Sequence, residues 1–373
     1  MKRAMKRLSL AAWCAVLCLA AAAQDGAGQG ANPSAPAPPK WNDILEQPPA
    51  WYAGAEAVRV ADNLLVYQRD AGGWHKNTDM SAALGEAQKA EIAKEKSKND
   101  STIDNGATFT QLNYLARVYT AAKHERHREA FLKGVDYLLK AQYENGGWPQ
   151  FYPDLSGYRK HITYNDGAMI GVMKLLRDIA AKKTDFAFVD EERRARAARA
   201  VEKGVEVILK TQVVVGGRRT VWGAQHDSVT LAPAAARKFE PVSLSAGESV
   251  ALVRFLMGLK NPPAQVVEAV ESAVAWYEKA KLGGVRWVER RDASKPGGFD
   301  RAAVKDPNAP PIWARFYEIE TTRPIFVGRD GVIKYDVSEI DEERRNGYQW
   351  YVSTPARLLN EEYPAWRKKL SKR

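Results

Sequence analysis

Gln68-Arg69-Asp70-Ala71-Gly72-Gly73-Trp74 returns 74 residues later as Gln142-Tyr143-Glu144-Asn145-Gly146-Gly147-Trp148. The signature continues as Gln212 with Gly216-Gly217 before Trp222, and as Gly283-Gly284 before Trp287, so successive tryptophans are 74, 74 and 65 residues apart. A period of this size marks a repeated supersecondary unit. Each turn follows an apolar pattern recurring at three and four residues: Val58, Ala61, Leu65; Phe131, Val135, Leu138; Val201, Val205, Ile208; Val266, Val270, Val274. Each segment therefore reads as a helix with one buried face.

Second helical patterns follow the turns, near Thr108 through Leu112 and Tyr119, near Ala168 through Val172 and Leu176, and near Ser245 through Leu252 and Leu256. The unit is helix, turn, long connection, helix. Three pairs and a fourth first helix over 264–281 predict an all-α fold, an (α/α)3 toroid of repeated helix pairs with irregular loops and short strands. A closed array hides the ends that a short open one would expose. Residues 312–337 predict strand and loop, and 355–370 a last helix. Trp74, Trp148, Trp222 and Trp287 read as plugs between repeats. Because helices in such an array alternate direction, every second helix begins on the rim where the first helices end.

The chain has 373 residues, 45% apolar and 27% charged, with a formal net charge of +11. This is the balance of a globular protein, not of a disordered tail or a multi-pass membrane protein. Lys2, Arg3, Lys6 and Arg7 precede an apolar run from Leu8 to Ala23, which predicts a signal peptide over 1–23. Both cysteines, Cys14 and Cys18, fall inside it, so the mature chain has no disulfide or thiol chemistry. Removing those four cations from +11 leaves +7, and an exported basic protein is expected to meet an acidic polysaccharide rather than nucleic acid. Residues 24–40, rich in Gly, Ala and Pro, read as a flexible linker, and 41–373 as one folded domain.

At two second-helix starts stand Thr102-Ile103-Asp104-Asn105-Gly106 and Thr163-Tyr164-Asn165-Asp166-Gly167. Asp and Asn cap helices, but two equivalent sites on one rim also suit a hard, oxygen-loving cation or acid/base work on a sugar. The third repeat carries His226 and then Arg237-Lys238-Phe239-Glu240, where a cation replaces the carboxylate. Arg315, Arg323 and Arg329 lie among aromatics further on, and arginine forks match planar carboxylates. Lys76, Lys238 and Arg329 are candidate contacts for an anionic substrate.

These motifs, in this order and over nearly the whole folded part, resemble the family-10 polysaccharide lyases, a group of pectate lyases. The resemblance rests on Gly72-Gly73-Trp74-His75-Lys76-Asn77, Thr102-Ile103-Asp104-Asn105, Tyr164-Asn165-Asp166, Trp222-Gly223-Ala224-Gln225-His226-Asp227, Arg237-Lys238-Phe239-Glu240 and Arg323-Pro324-Ile325-Phe326. It implies an (α/α)3 toroid that cleaves polygalacturonate by β-elimination with calcium; the leader predicts a secreted or periplasmic protein, and a monomer is expected. It further implies that Asp104, Asn105 and Asp166 hold calcium, that Arg237 is the catalytic base and that Arg323 binds the substrate carboxylate. Family members often carry a second acid where this chain has Gly167. A glycoside hydrolase using Asp104 and Asp166, or a polyuronate-binding protein without turnover, are the competing readings.

Overall fold

In three consecutive turns, a glutamine side chain is the hinge pin of the architecture. Gln68 Nε2 donates to the carbonyls of Gly72 at 2.8 Å and Ala130 at 2.9 Å. Gln142 repeats this with Gly146 and Ala200, both at 2.9 Å, and Gln212 with Thr220 and Ala269, both at 2.9 Å. Each glutamine caps a first helix, closes the turn that follows, and ties that turn to the next first helix. The coordinates, a computed structural model, describe residues 39–372. The expected signal peptide and all but the last two residues of the expected linker lie outside the described residues.

The helices are α1 (Ala55–Tyr67), α2 (Glu86–Ala93), α3 (Phe109–Ala122), α4 (Glu125–Ala141), α5 (Ala168–Ala180), α6 (Glu191–Thr211), α7 (Ala246–Met257) and α8 (Ala264–Ala280). The first helices α1, α4, α6 and α8 pack in sequence as one row, and the second helices α3, α5 and α7 as another. The rows pack on each other through α1 and α4 against α3, α5 against α6, and α7 against α8. This is the toroid-like all-α arrangement that the repeat predicts. The short helix α2 and the hairpin of Val285–Arg291 with Phe299–Lys305 are additions that the periodicity did not indicate. Short strands at Trp313–Ala314, Phe316–Tyr317 and Pro324–Val327 fill the stretch expected to be strand and loop. The last helical run, Thr354–Arg357 through Tyr363–Leu370, is joined by a π-helical turn over Leu358–Glu362.

The tryptophans are core plugs with a common register. Trp74 Nε1 donates to the Leu64 carbonyl at 2.9 Å, Trp148 to Leu138 at 2.8 Å and Trp222 to Ile208 at 2.7 Å. The fourth member is Trp313, which donates to Tyr277 at 2.8 Å and is fully buried. Trp287, expected there from Gly283-Gly284, instead sits in the inserted hairpin with its ring against Tyr351. Backbone pairing explains the correction: Arg69 N bonds to Gly73 O, Tyr143 to Gly147, Val213 to Val221 and Leu282 to Ile312. The fourth turn is the same ladder with a hairpin spliced into it.

Gly216-Gly217 are likewise not the equivalents of Gly72-Gly73. They form the tip of a small hairpin between Val214–Val215 and Arg218–Arg219, and Thr220 takes the clamped position. Glycine is required at 146, whose φ is 95° and where a Cβ would lie 2.1 Å from the Lys203 carbonyl. The turn thereby presses directly onto α6. Among the described residues no helix is long and apolar enough to cross a membrane.

Replacing Gln142 with leucine leaves two backbone carbonyls without their donor and is expected to lower stability by about 2 kcal/mol, read from the urea midpoint. At the equivalent position of the fourth turn, Lys281 bonds only exposed Glu278. Lys281→Ala is expected to change stability by less than about 0.5 kcal/mol.

Candidate active site

After each of the first three tryptophans the chain pairs with the segment that opens the next second helix: Thr102 N bonds to Trp74 O, Thr163 to Trp148 and Ser245 to Trp222. Those three anchors bring the residues that follow them onto one rim. Three positions past each anchor stand Asn105, Asp166 and Glu248. Asn105 and Asp166 both have φ of 50°, the left-handed region, which Asn and Asp tolerate better than other side chains. Neither turn caps its helix through a side chain, so the capping role fails for both.

Instead the side chains meet across repeats. Asn165 Nδ2 donates to Asp166 Oδ2 at 2.8 Å and reaches Asp104 Oδ1 at 3.5 Å. Lys76 Nζ donates to the other oxygen of Asp104, which is 2% exposed. Arg315 Nη2 lies 2.6 Å from Glu248 Oε1, 3.2 Å from Asn165 Oδ1 and 3.5 Å from Asp166 Oδ1. Ser245 Oγ also donates to Glu248. Seven side chains from three repeats and the C-terminal strands thus form one network.

Of the expected cation ligands, Asp104 and Asp166 converge. Asn105 does not join them: its amide donates to Asn77 Oδ1 at 2.8 Å, and Asn165 is the amide between the carboxylates. Among the described residues no group of three His, Cys, Asp or Glu side chains is arranged to hold a metal ion. Burial, followed by the charges of Glu248 and Asp104, pushes the Asp166 carboxyl above its ordinary range, although Arg315 pulls the other way.

The cationic side is built on Phe239. The guanidinium carbons of Arg344, Arg329 and Arg237 lie 4.0, 4.7 and 4.8 Å from its ring centre. Arg237 Nε donates to Glu240 Oε2 at 2.9 Å, and that carboxylate holds the guanidinium firmly protonated. Tyr348 Oη lies 3.4 Å from Glu240 Oε1, and Arg315 is 4.4 Å over the Tyr348 ring. One tyrosine therefore connects Arg237 and Glu240 to the acidic network. Arg329 is paired with Glu343 at 2.8 Å. Lys238 is exposed, its stem near Gly331.

Arg323 is not brought to the network. The strand register sets Ser245 opposite Phe316, and Leu244 and Pro324 opposite Tyr317. Arg323 consequently lies beyond the far end of this ladder, opposite Glu318, with its guanidinium 3.5 Å over Tyr335. Arg315, at the near end opposite Ala246, takes the central place. Glu248 was equally unforeseen, although Ser245-Ala246-Gly247-Glu248 has capping-box spacing at the opening of an apolar helix. His226 is structural: Gly223 N donates to its Nε2 at 3.1 Å, its Nδ1 lies 2.9 Å from the Leu231 carbonyl, and burial pushes its pKa down to about 4.

An acid whose pKa is raised on folding stabilises the fold below its unfolded value and loses that contribution as pH rises through the folded one. In the metal-free protein Asp166→Asn is therefore expected to raise the melting temperature at pH 7. The gain should vanish below about pH 4, where the carboxyl is protonated in both states. Because the Asp166 side chain is partly exposed and solvent screens it, the gain is expected to be small. An unchanged melting temperature at both pH values would remove the repulsion argument.

The sequence profile of the pectic acid lyases matches residues 68–359. A mutant family 10 polysaccharide lyase from Cellvibrio cellulosa, solved in complex with trigalacturonic acid, is 33% identical with a TM-score of 0.72, over 86% of this chain and 94% of that one. A second structure of a family 10 polysaccharide lyase from Cellvibrio cellulosa is also 33% identical, with a TM-score of 0.70 over 86% of this chain and 93% of that one. No curated protein matches the chain. With most of its folded length matched and the repeat turns converging on one acidic and cationic rim, the chain belongs to the pectic acid lyase family, the family 10 polysaccharide lyases.

Proposed function

We propose that the protein is exported, to the periplasm or the medium, and cleaves polygalacturonate by calcium-assisted β-elimination to 4,5-unsaturated oligogalacturonides. The observation that carries this reading is the meeting of Asp104 and Asp166 at Asn165, with Arg315 on Asp166 and Arg237 one tyrosine away. The trigalacturonic acid held by the Cellvibrio lyase supports polygalacturonate as substrate. The cationic apolar leader over 1–23 supports export. The proposal includes a monomer that acts on the polysaccharide without nucleic acid or a membrane.

An all-oxygen donor set fits calcium. Asp104 and Asp166 would hold it, the substrate carboxylate would supply the ligands that two side chains lack, and the repulsion acting on Asp166 would be relieved. Bound there, the ion would neutralise the uronate carboxylate and make the neighbouring C5 proton more acidic. Arg315 takes the carboxylate-binding role that the resemblance gives to Arg323, because it reaches Asp166 while Arg323 stacks on Tyr335. Lys76 orients Asp104, and Arg329 and Lys238 extend the cationic face beside Arg237. Positive charge on this side stabilises the enolate-like state as C5 loses its proton.

Neutral Arg237 takes that proton, the C5–H electrons form the C4–C5 double bond, and the C4–O pair leaves with the glycosidic oxygen, which takes a proton from water as the new reducing end. Arg237 can accept the proton only as neutral guanidine, a scarce form at neutral pH, and Glu240 makes it scarcer by raising the proton affinity of Arg237. Turnover therefore depends on loosening the Arg237–Glu240 pair, which favours alkaline conditions.

Ultraviolet absorbance at the unsaturated product, followed on polygalacturonate with calcium added and then chelated, is expected to rise and then stop. New reducing ends without absorbance would mean hydrolysis instead. Arg237→Ala is expected to lower kcat by about 100-fold or more with KM little changed. Near-normal turnover in that variant would move the base role to Lys238. Glu240→Gln removes the group that raises the Arg237 pKa, so the rising limb of the pH–rate profile is expected to move toward neutral pH. His226 should add no inflection near pH 6.5 to either profile, because burial pushes its pKa down to about 4.

A further inference from the structure

A cavity of about 450 Å³ opens next to the acidic network, between the N-terminal turn Trp41–Asp43 and the segment after Trp74. That volume is in the range of small-ligand sites. Lys76 belongs to both places: it lines the cavity and its ammonium donates to Asp104. Two polar groups of the lining are buried and unanswered. Gln111 is 2% exposed, its Nε2 reaches only Met80 Sδ at 3.5 Å, and its Oε1 has no partner. His75 engages Thr78 Oγ1 through Nε2 at 2.8 Å, while its buried Nδ1 has none. A buried amide oxygen without a donor is costly, and a rotation of the Gln111 side chain into the cavity would let a sugar hydroxyl supply that donor.

The outer wall is Trp41, half-buried and steadied by Tyr114 with ring centres 6.2 Å apart, and beside it the exposed Lys40. Both precede the residues that match the family, which begin at 68. A flat aromatic face, a cation at each side and two unpaired hydrogen-bonding atoms are what a pyranose bearing a carboxylate requires.

We propose that this cavity is a further subsite for one uronate residue of the same polysaccharide chain, with the sugar on Trp41, its hydroxyls on Gln111 Oε1 and His75 Nδ1, and its carboxylate by Lys40. The proposal rests on polygalacturonate being the substrate. It makes the enzyme sense substrate length through residues that do not touch the reacting atoms.

The test is kcat/KM on oligogalacturonides from trimer to octamer for the wild type, Trp41→Ala and Gln111→Leu. The wild type should gain with length until the chain fills the cavity. Both variants should lose about tenfold, a loss of about 1.4 kcal/mol in binding, on the long oligomers and nothing on the trimer. Equal losses at every length, or none, overturn the subsite. Gln111→Leu removes an unpaired buried group, so its melting temperature should not fall, which separates lost binding from lost folding. Octamer binding by calorimetry under chelator gives an independent reading. Weaker binding by both variants supports the subsite and equal binding overturns it, even if no oligomer yields unsaturated product and the lyase reading itself fails.

Discussion

Everything functional in this molecule depends on a repeated double hydrogen bond from one glutamine side chain. At the end of a first helix, Gln68, Gln142 or Gln212 spends both amide protons on two carbonyls, one in its own turn and one in the next first helix. Buried carbonyls of this kind are expensive to leave unpaired, so turn and neighbouring helix are fixed together. The tryptophan then inserts with its indole N–H on the carbonyl three residues before the helix end, which sets depth as well as direction. The fourth turn keeps the tryptophan bond, through Trp313, but has Lys281 in place of the glutamine.

Because the turns are identical in register, the chain emerging from each one starts its second helix at the same height on the rim. That is why residues 62 apart, Asp104 and Asp166, reach one asparagine, and why Glu248 faces them from a third repeat. The arrangement concentrates negative charge. Arg315 and Lys76 offset part of it, but Asp166 stays reluctant to ionise, and the imbalance marks where an added cation has most to offer. Function here is held against the local preference of the fold.

The opposite side is built by different physics. Phe239 gathers Arg237, Arg329 and Arg344 on its ring, and Tyr348 joins Arg315 to Glu240. Aromatic faces bring like charges close without a matching number of acids, and this is a practical means of keeping a cationic surface facing an anionic polymer. Arg344 feels it most: burial, with Arg237 and Arg329 nearby, lowers its proton affinity despite the Glu240 carboxylate.

The sequence by itself determined the repeat, the helix pairs, the rim on which the acids stand and the motif order that marks the family, because these follow from apolar spacing and turn residues within a few positions of one another. It also singled out Asp104 and Asp166, which the fold brings to one asparagine, and Arg237, which Tyr348 links to them through Glu240 and Arg315. Only the tertiary structure decided that Trp313 and not Trp287 is the fourth plug, that Thr220 takes the place read as glycine, that Asn165 rather than Asn105 stands between the carboxylates, and that Arg315 rather than Arg323 reaches them. Three of these turn on an insertion or a strand register, and the asparagine on side-chain bonds, since Asn105 is taken up by Asn77. A hairpin spliced into a turn moves a residue by tens of positions along the chain while leaving its hydrogen bonds unchanged. Spacing along the sequence cannot reveal that, because the pairing partners that fix the place are distant in sequence and are chosen by the fold.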